Sequence, residues 1–345
     1  MSCSSAATGG AGALRQVHGG GLRAAAEHYG IPLAQWLDLS TGINPHGYPV
    51  PAPPAAVWAR LPEPDDGLEA AAAAYYGCSA LLPLPGSQAA IQLLPALRAP
   101  GRVGILAPSY NEHARAWQTA GHAVEALPAL AEAPLDMIEQ RLAQLDVLVL
   151  VNPNNPTGLR FPVETLLRWH AALAARGGWL LVDEAFMDTT PEGSLLPACP
   201  RRGLLVLRSL GKFFGLAGAR VGFLAAEAEL RAAVGARLGP WALSGPARWA
   251  ATQALQDRAW QARARESLTG AGACLEALLG EHGLAMEGGT PLFQWGRHTD
   301  ATAIQDALAR QGILVRRFDD PASLRFGLPG DEPQWQRLAA ALEGL

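Results

Sequence analysis

The stretch Leu207-Arg208-Ser209-Leu210-Gly211-Lys212-Phe213-Phe214-Gly215-Leu216-Ala217-Gly218-Ala219-Arg220-Val221-Gly222 decides how the rest of the chain is read. An apolar run ends at Arg208, and the small, glycine-containing and aromatic residues that follow suit a loop at the carboxyl edge of a sheet. Lys212 in that loop is the only lysine among 27 basic residues; the others are arginines. A bias that strong puts arginine wherever only a positive charge is needed, so the retained lysine is either an accident or an amine. Arginine stays protonated, whereas a lysine beside apolar rings is desolvated, loses pKa and becomes a nucleophile able to form a Schiff base. Ser209 and Arg220, three residues before and eight after it, can reach one shared anion.

Upstream, two further apolar runs end in polar residues. Leu150-Val151-Asn152-Pro153-Asn154-Asn155-Pro156-Thr157-Gly158 taken alone is a tight strand-to-helix connection built from turn formers. In Trp179-Leu180-Leu181-Val182-Asp183-Glu184-Ala185-Phe186, the carboxylates could be solvated rim charges or helix caps. The order of turn asparagine, strand-end aspartate and loop lysine favours a site.

The alternation of short apolar runs with longer amphipathic stretches predicts an α/β sheet covered by helices. Strands are expected at Val103 to Ala107, Val147 to Val151, Trp179 to Val182, Leu204 to Arg208 and Val221 to Ala225. Helices are expected at Ser87 to Leu97, Glu112 to Ala120, Val163 to Ala175 and Ala228 to Gly235. After Pro240 the pattern changes to one long helical stretch from Pro246 to about Leu279, then helix 300–311, strands near Ile313–Val315 and Leu324–Phe326, and a final helix from Asp331. The organisation expected is an N-terminal arm over 1–50 packing beside the smaller domain, a large α/β domain over 51–245 and a small α+β domain over 246–345.

Composition excludes several functions. The net charge of −4 with scattered arginines offers no basic stripe for nucleic acid. No apolar run approaches the roughly 20 residues of a membrane span. Met1 to Gly12 is small and polar, so secretion is not expected. Cys3, Cys78, Cys199 and Cys274 lack CxxC spacing and read as reduced thiols of a cytoplasmic protein, with no metal site.

The ordered set NPNNPTG, DEAF and SLGKFFGLAGARVG resembles the pyridoxal-phosphate enzymes of the aspartate aminotransferase fold (class I/II, fold type I), and the likeness covers nearly the whole chain. It implies a large, mostly parallel sheet with helices on both faces plus a smaller α+β domain. Lys212 would hold pyridoxal 5'-phosphate and then act as acid and base. Asp183 would face the pyridinium nitrogen, Asn155 the phenolic oxygen and Tyr110 the ring face. Gly86, Ser87 and Gln88, opening a helix after Pro85, would cradle the cofactor phosphate with Ser209 and Arg220. Arg325 would bind the substrate carboxylate, and Arg316 the substrate phosphate with His18 and Asn44 from the arm; His46, His113 and Arg317 are left without a role. Two positions depart from the family: Phe186 stands where a tyrosine usually donates to the phenolic oxygen, and Leu61 in Arg60-Leu61-Pro62 stands where a tyrosine usually reaches the neighbouring subunit's site.

Within the family, His18-Gly19-Gly20, Leu37 to Gly47, Gln256-Asp257-Arg258-Ala259-Trp260 and Gly312 to Arg316 point to a decarboxylase branch. The implied reaction is decarboxylation of L-threonine O-3-phosphate to (R)-1-aminopropan-2-yl phosphate, the aminopropanol linker of cobalamin, by a homodimer. The alternatives are transamination of histidinol phosphate or a related small substrate, and a non-catalytic corrinoid-pathway binding protein.

Overall fold

Val147–Val151 is buried at every position, a pattern that only a strand covered on both faces requires. Each of its five side chains contributes about 1.5–3 kcal/mol by leaving water. The computed structural model describes residues 18–130 and 134–345; Cys3 and the Met1 to Gly12 stretch lie outside them.

The strands are β1 (Leu37–Leu39), β2 (Leu81–Leu84), β3 (Arg102–Ala107), β4 (Ala123–Pro128), β5 (Val147–Val151), β6 (Trp179–Asp183), β7 (Leu204–Ser209), β8 (Gly222–Ala225), β9 (Gly288–Thr290), β10 (Phe293–Arg297), β11 (Ile313–Asp319) and β12 (Ala322–Gly327). Seven form one sheet in the order β2-β8-β7-β6-β5-β3-β4, in which β8 runs antiparallel to both its neighbours and the remaining pairs are parallel. From β3 the chain passes outward to β4 and returns to β5 on the other side. That reversal opens a crevice beyond the carboxyl ends of β3 and β5, where open α/β sheets take their ligands.

Alternate side chains feed two separate cores. Val147, Val149, Leu181, Leu205 and Leu207 pack on one face with Ile91 and Trp117; Leu148, Leu150, Val182, Leu204 and Val206 pack on the other with Trp169 and Phe223. The same period of two sends Asp183 and Ser209 to the first face, and Glu184 and Arg208 to the second.

The other strands form a five-stranded sheet, β1-β11-β12-β10-β9, in which β1 from the N-terminal segment lies parallel to β11. The single helical stretch expected over Pro246 to Leu279 is two helices, Gly245–Gln256 and Arg258–Glu281. Asp257 breaks it by adopting a non-helical ψ of 78° and accepting the Trp260 amide at 2.9 Å, an N-cap in mid-pattern. The helix expected over Ser87 to Leu97 ends at Leu93 and continues as a 3-10 turn, because Pro95 has no amide to donate. Among the described residues no helix is long and apolar enough to cross a membrane.

Candidate active site

Three strand ends and one helix start meet at the crevice. Asp183 closes β6, Ser209 closes β7 ahead of the Lys212 loop, Asn155 follows β5, and the helix Ser87–Leu93 begins beside β8. The close approach demands glycine: a Cβ at Gly222 would lie 2.6 Å from the Ser87 amide nitrogen and 2.7 Å from the Arg208 carbonyl. Gly86, at φ 77°, would place a Cβ 2.5 Å from Arg220 Nη2. Arg220 itself sits at φ 55°, a left-handed conformation that costs energy in a non-glycine residue and aims its guanidinium at Gly86.

A cavity of about 150 Å³ follows this edge, lined by Ser87, Ser209 and Arg220, which lie together beside Gly86 and Gly222, and by Asp183 and Tyr110. A second, of about 190 Å³, opens toward the small sheet and is lined by Arg316, Arg325 and His18. Tyr110, Asn155 and Lys212 line both. Lys212 therefore stands at the junction, its Nζ 5.4 Å from the Phe186 ring centre. Desolvation, followed by the positive charge of Arg325, lowers its pKa to about 8, against the pull of Asp183 and with a further push from Arg220. The neutral amine is thus far more populated near neutrality than in an exposed lysine.

Asp183 is buried and ordered by two contacts, the Ala185 amide at 3.1 Å and His113 Nε2 at 3.0 Å. His113, to which the sequence assigned no role, is fully buried and holds that carboxylate from the far side. Its place on the helix Asn111–Thr119, three residues past Tyr110, carries no sequence signal, because only tertiary packing turns it toward β6. Tyr110 donates to Gln88 Oε1 at 3.1 Å, which fixes the ring over the cavity. The buried Asn154 amide reaches the Pro108 carbonyl (2.9 Å) and Thr157 Oγ1 (2.8 Å), which ties the turn down and leaves Asn155 facing the cavities.

Asn155 Oδ1 accepts from Arg325 Nη1, and Arg325 Nη2 donates to the Ser40 carbonyl at 2.7 Å. Arg325 and Arg316 are both buried, and neighbouring registers of β12 and β11 place them directly opposite each other. Burial first, then the charge of Arg316, pushes the pKa of Arg325 down to about 9, so two neighbouring guanidiniums border the cavity that Lys212 lines. His18 lines the same cavity but leans on Glu112 at 3.3 Å.

Asn44 is a correction to the sequence reading. It is buried and away from both cavities, donating to the Phe213 carbonyl (2.9 Å) and accepting the His46 amide (2.9 Å), while its own amide reaches the Lys212 carbonyl (3.0 Å). Its side chain is occupied by backbone, so it braces the lysine loop instead of meeting substrate. Phe186 is buried against Phe293 and presents no donor to the cavity, while Leu61 is 62% exposed at the surface.

The family described as aminotransferase class I and II matches residues 57–342. The chain belongs to that family. It is 57% identical to the threonine-phosphate decarboxylase of Pseudomonas aeruginosa, over 95% of this chain and 97% of that one. It is 43% identical to the threonine-phosphate decarboxylase of a Sinorhizobium species, over 94% and 97%. Its fold matches a histidinol-phosphate aminotransferase from Sinorhizobium meliloti in complex with pyridoxal-5'-phosphate, with a TM-score of 0.81 at 21% identity over 96% of this chain and 95% of that one.

The donor set suits the cofactor of this aminotransferase family. An amine of lowered pKa stands at the cavity junction, as an aldehyde requires. A buried, hydrogen-bonded carboxylate lies on the wall, as a protonated ring nitrogen requires. Two hydroxyls, a guanidinium and a helix start cluster together, as a phosphate requires. The glycine at position 86 keeps that last corner open for the guanidinium.

Proposed function

We propose that the chain is a pyridoxal-phosphate-dependent carbon–carbon lyase that decarboxylates L-threonine O-3-phosphate to (R)-1-aminopropan-2-yl phosphate, the precursor of the cobalamin aminopropanol linker. One observation carries the reading: two buried guanidiniums, Arg325 and Arg316, line the same small cavity as the Lys212 amine. Such a cavity suits a substrate with an amine and two anionic ends, and the 57% identity over nearly the full chain supports that class.

Lys212 would attach the cofactor, Asp183, backed by His113, would stabilise positive charge on its ring nitrogen, and Ser87, Ser209 and Arg220 would hold its phosphate beside Gly86 and Gln88. When bound, the cofactor supplies an electron sink for the pair released as a bond to the substrate Cα breaks. The protein decides which bond that is. Arg325 grips the carboxylate and Arg316, with His18 at the mouth, grips the phosphate; two fixed anchors set rotation about the Cα–N bond and so present one substituent for cleavage. Tyr110 and Asn155 line both cavities and limit sideways movement. After carbon dioxide leaves, the Lys212 amine delivers a proton to Cα.

The functional unit is a homodimer of the cytoplasm, with the chain divided into an arm (1–50), a large domain (51–245) and a small domain (246–345). Support for the dimer comes from the exposed apolar side chains Trp58, Leu61 and Trp241, of which Trp58 lines an apolar hollow that reaches Gly218 and Ala219, next to Arg220. Incubating the loaded enzyme with L-threonine O-3-phosphate and no keto acid tests the reaction. Continuous carbon dioxide release is expected; one equivalent of amino transfer and then arrest would make the chain an aminotransferase.

A further inference from the structure

Behind the sheet, on the face that carries Glu184 and Arg208, lies a cavity of about 480 Å³ that no step of the proposed reaction uses. It is bounded by the end of the helix Leu68–Tyr76, the turn at 191–197 and the start of the helix Arg258–Glu281. Arg258 and Arg265, seven residues apart and so on one helix face, line it together with Arg208 and Tyr75.

The charges are unevenly matched. Arg208 is neutralised at depth by Glu184 and Asp188. Arg265 donates to the Asp188 main-chain oxygen (2.9 Å) and to the Tyr75 hydroxyl (2.8 Å), neither of which carries charge. Among the described residues neither Arg258 nor Arg265 forms an ion pair. With Glu184 and Asp188 set against three guanidiniums, the open cavity keeps a net positive charge, and the planar forks of Arg258 and Arg265 favour a phosphate oxyanion over a single carboxylate, because each can engage a pair of oxygens.

We propose that this cavity is a second anion site, which binds a phosphate dianion as inorganic phosphate or as a phosphate monoester. The site has a short path to the lysine loop. The Arg265 guanidinium lies 5.2 Å over the Phe213 ring, next in sequence to Lys212, and the Phe213 carbonyl is held by Asn44. Two residues past Arg258, Trp260 stacks on Phe214 with the ring planes 19° apart. The Gln256–Trp260 motif thus bridges the cavity and the loop. A ligand that draws Arg265 outward loosens its stacking on Phe213 and alters the support of Lys212.

Equilibrium dialysis of the holoenzyme against labelled inorganic phosphate tests the site. Wild-type protein is expected to bind two phosphates per chain, one of them at the substrate cavity. Arg258→Ala weakens the second by at least about tenfold, and Arg258→Lys weakens it less, because a charge remains but the fork is lost. Arg258 is exposed at a helix start, so its replacement leaves the fold and the substrate cavity intact. Competition with the aminopropanol phosphate product distinguishes the two sources: displacement from both sites assigns the cavity to phosphate monoesters, displacement from one only assigns it to inorganic phosphate. A single site in wild type, or two sites unchanged in Arg258→Ala, overturns the proposal. The coupling to Lys212 is read as a phosphate-dependent change in kcat at saturating substrate that Arg258→Ala abolishes; purely competitive inhibition in both proteins refutes it. That kinetic arm rests on the proposed activity and the dialysis does not, so the two failures are distinguishable.

Discussion

Asp183 and Glu184 are neighbours in sequence, as are Arg208 and Ser209, yet each pair divides between two regions with opposite uses of charge. At the front, along the carboxyl edge of the sheet, Asp183, Arg220, Arg316, Arg325 and Lys212 line open space, where their charges face the two cavities. On the back, the fully buried Glu184 pairs with Arg208 at 2.8 Å, Asp188 pairs with the same guanidinium, and Ser194 and the Leu195 amide take the remaining Glu184 valences at 2.6 and 2.7 Å. Burial pushes the Glu184 pKa up, and the guanidinium and these donors pull it back, while Asp188 Oδ2 and Arg208 Nε stay buried without a hydrogen-bond partner. The front gathers its charges around open space; the Glu184–Arg208–Asp188 cluster on the back spends its charges clamping the strand ends that carry the front. A charge at a strand end acquires its meaning from the face it occupies.

That comparison can be broken from either side. The largest effect is expected from Lys212→Arg, which keeps the charge but removes the neutral amine: steady-state decarboxylation falls by about 10⁴-fold or more, and thermal stability stays near wild type. Substantial residual turnover would remove Lys212 from the chemistry. Arg208→Ala tests the back. It strands two buried carboxylates and is expected to cost about 3–5 kcal/mol in urea unfolding, whereas a loss below about 1 kcal/mol, the scale of a surface pair, would deny the clamp. The smallest effect is a pH profile. With its pKa lowered to about 8 from 10.5, Lys212 in the cofactor-free protein is protonated below that point and nucleophilic above it, so its acylation rate should rise through a midpoint near pH 8. Because the chain holds no other lysine, a mass-resolved label reads this residue separately from the N-terminal amine. A midpoint above pH 10 would show that the junction does not desolvate the amine.

Most of the front was legible because its residues stand at strand ends in a fixed order. The runs Val147–Val151 and Trp179–Val182 have side chains buried on both faces and so are apolar throughout, which makes their ends easy to find. Asn155, Asp183, Ser209 and Lys212 follow from those ends. β1 and β2 are short and interrupted by a polar residue or proline, and they owe their pairing to β11 and β8, distant in sequence, while β4 is half-exposed and carries Glu125, so no local period announces them. Asn44 was misread for a related reason: an asparagine before proline signals a turn or a ligand equally well, and its true partner, the Phe213 carbonyl, lies 169 residues away. His113 and the Glu184–Arg208–Asp188 cluster were silent because long-range pairing alone makes them neighbours.

The sequence by itself determined the alternating α/β class, the positions of the main strand ends and the singular status of Lys212, since hydrophobic period and composition are local properties of the chain. Tertiary structure alone decided which side of the sheet each charge faces, that Arg316 and Arg325 meet across β11 and β12, and that Asp183 is backed by His113. The physical reason is that electrostatic function depends on distance and burial, and both are fixed only when segments far apart in the chain exclude water together.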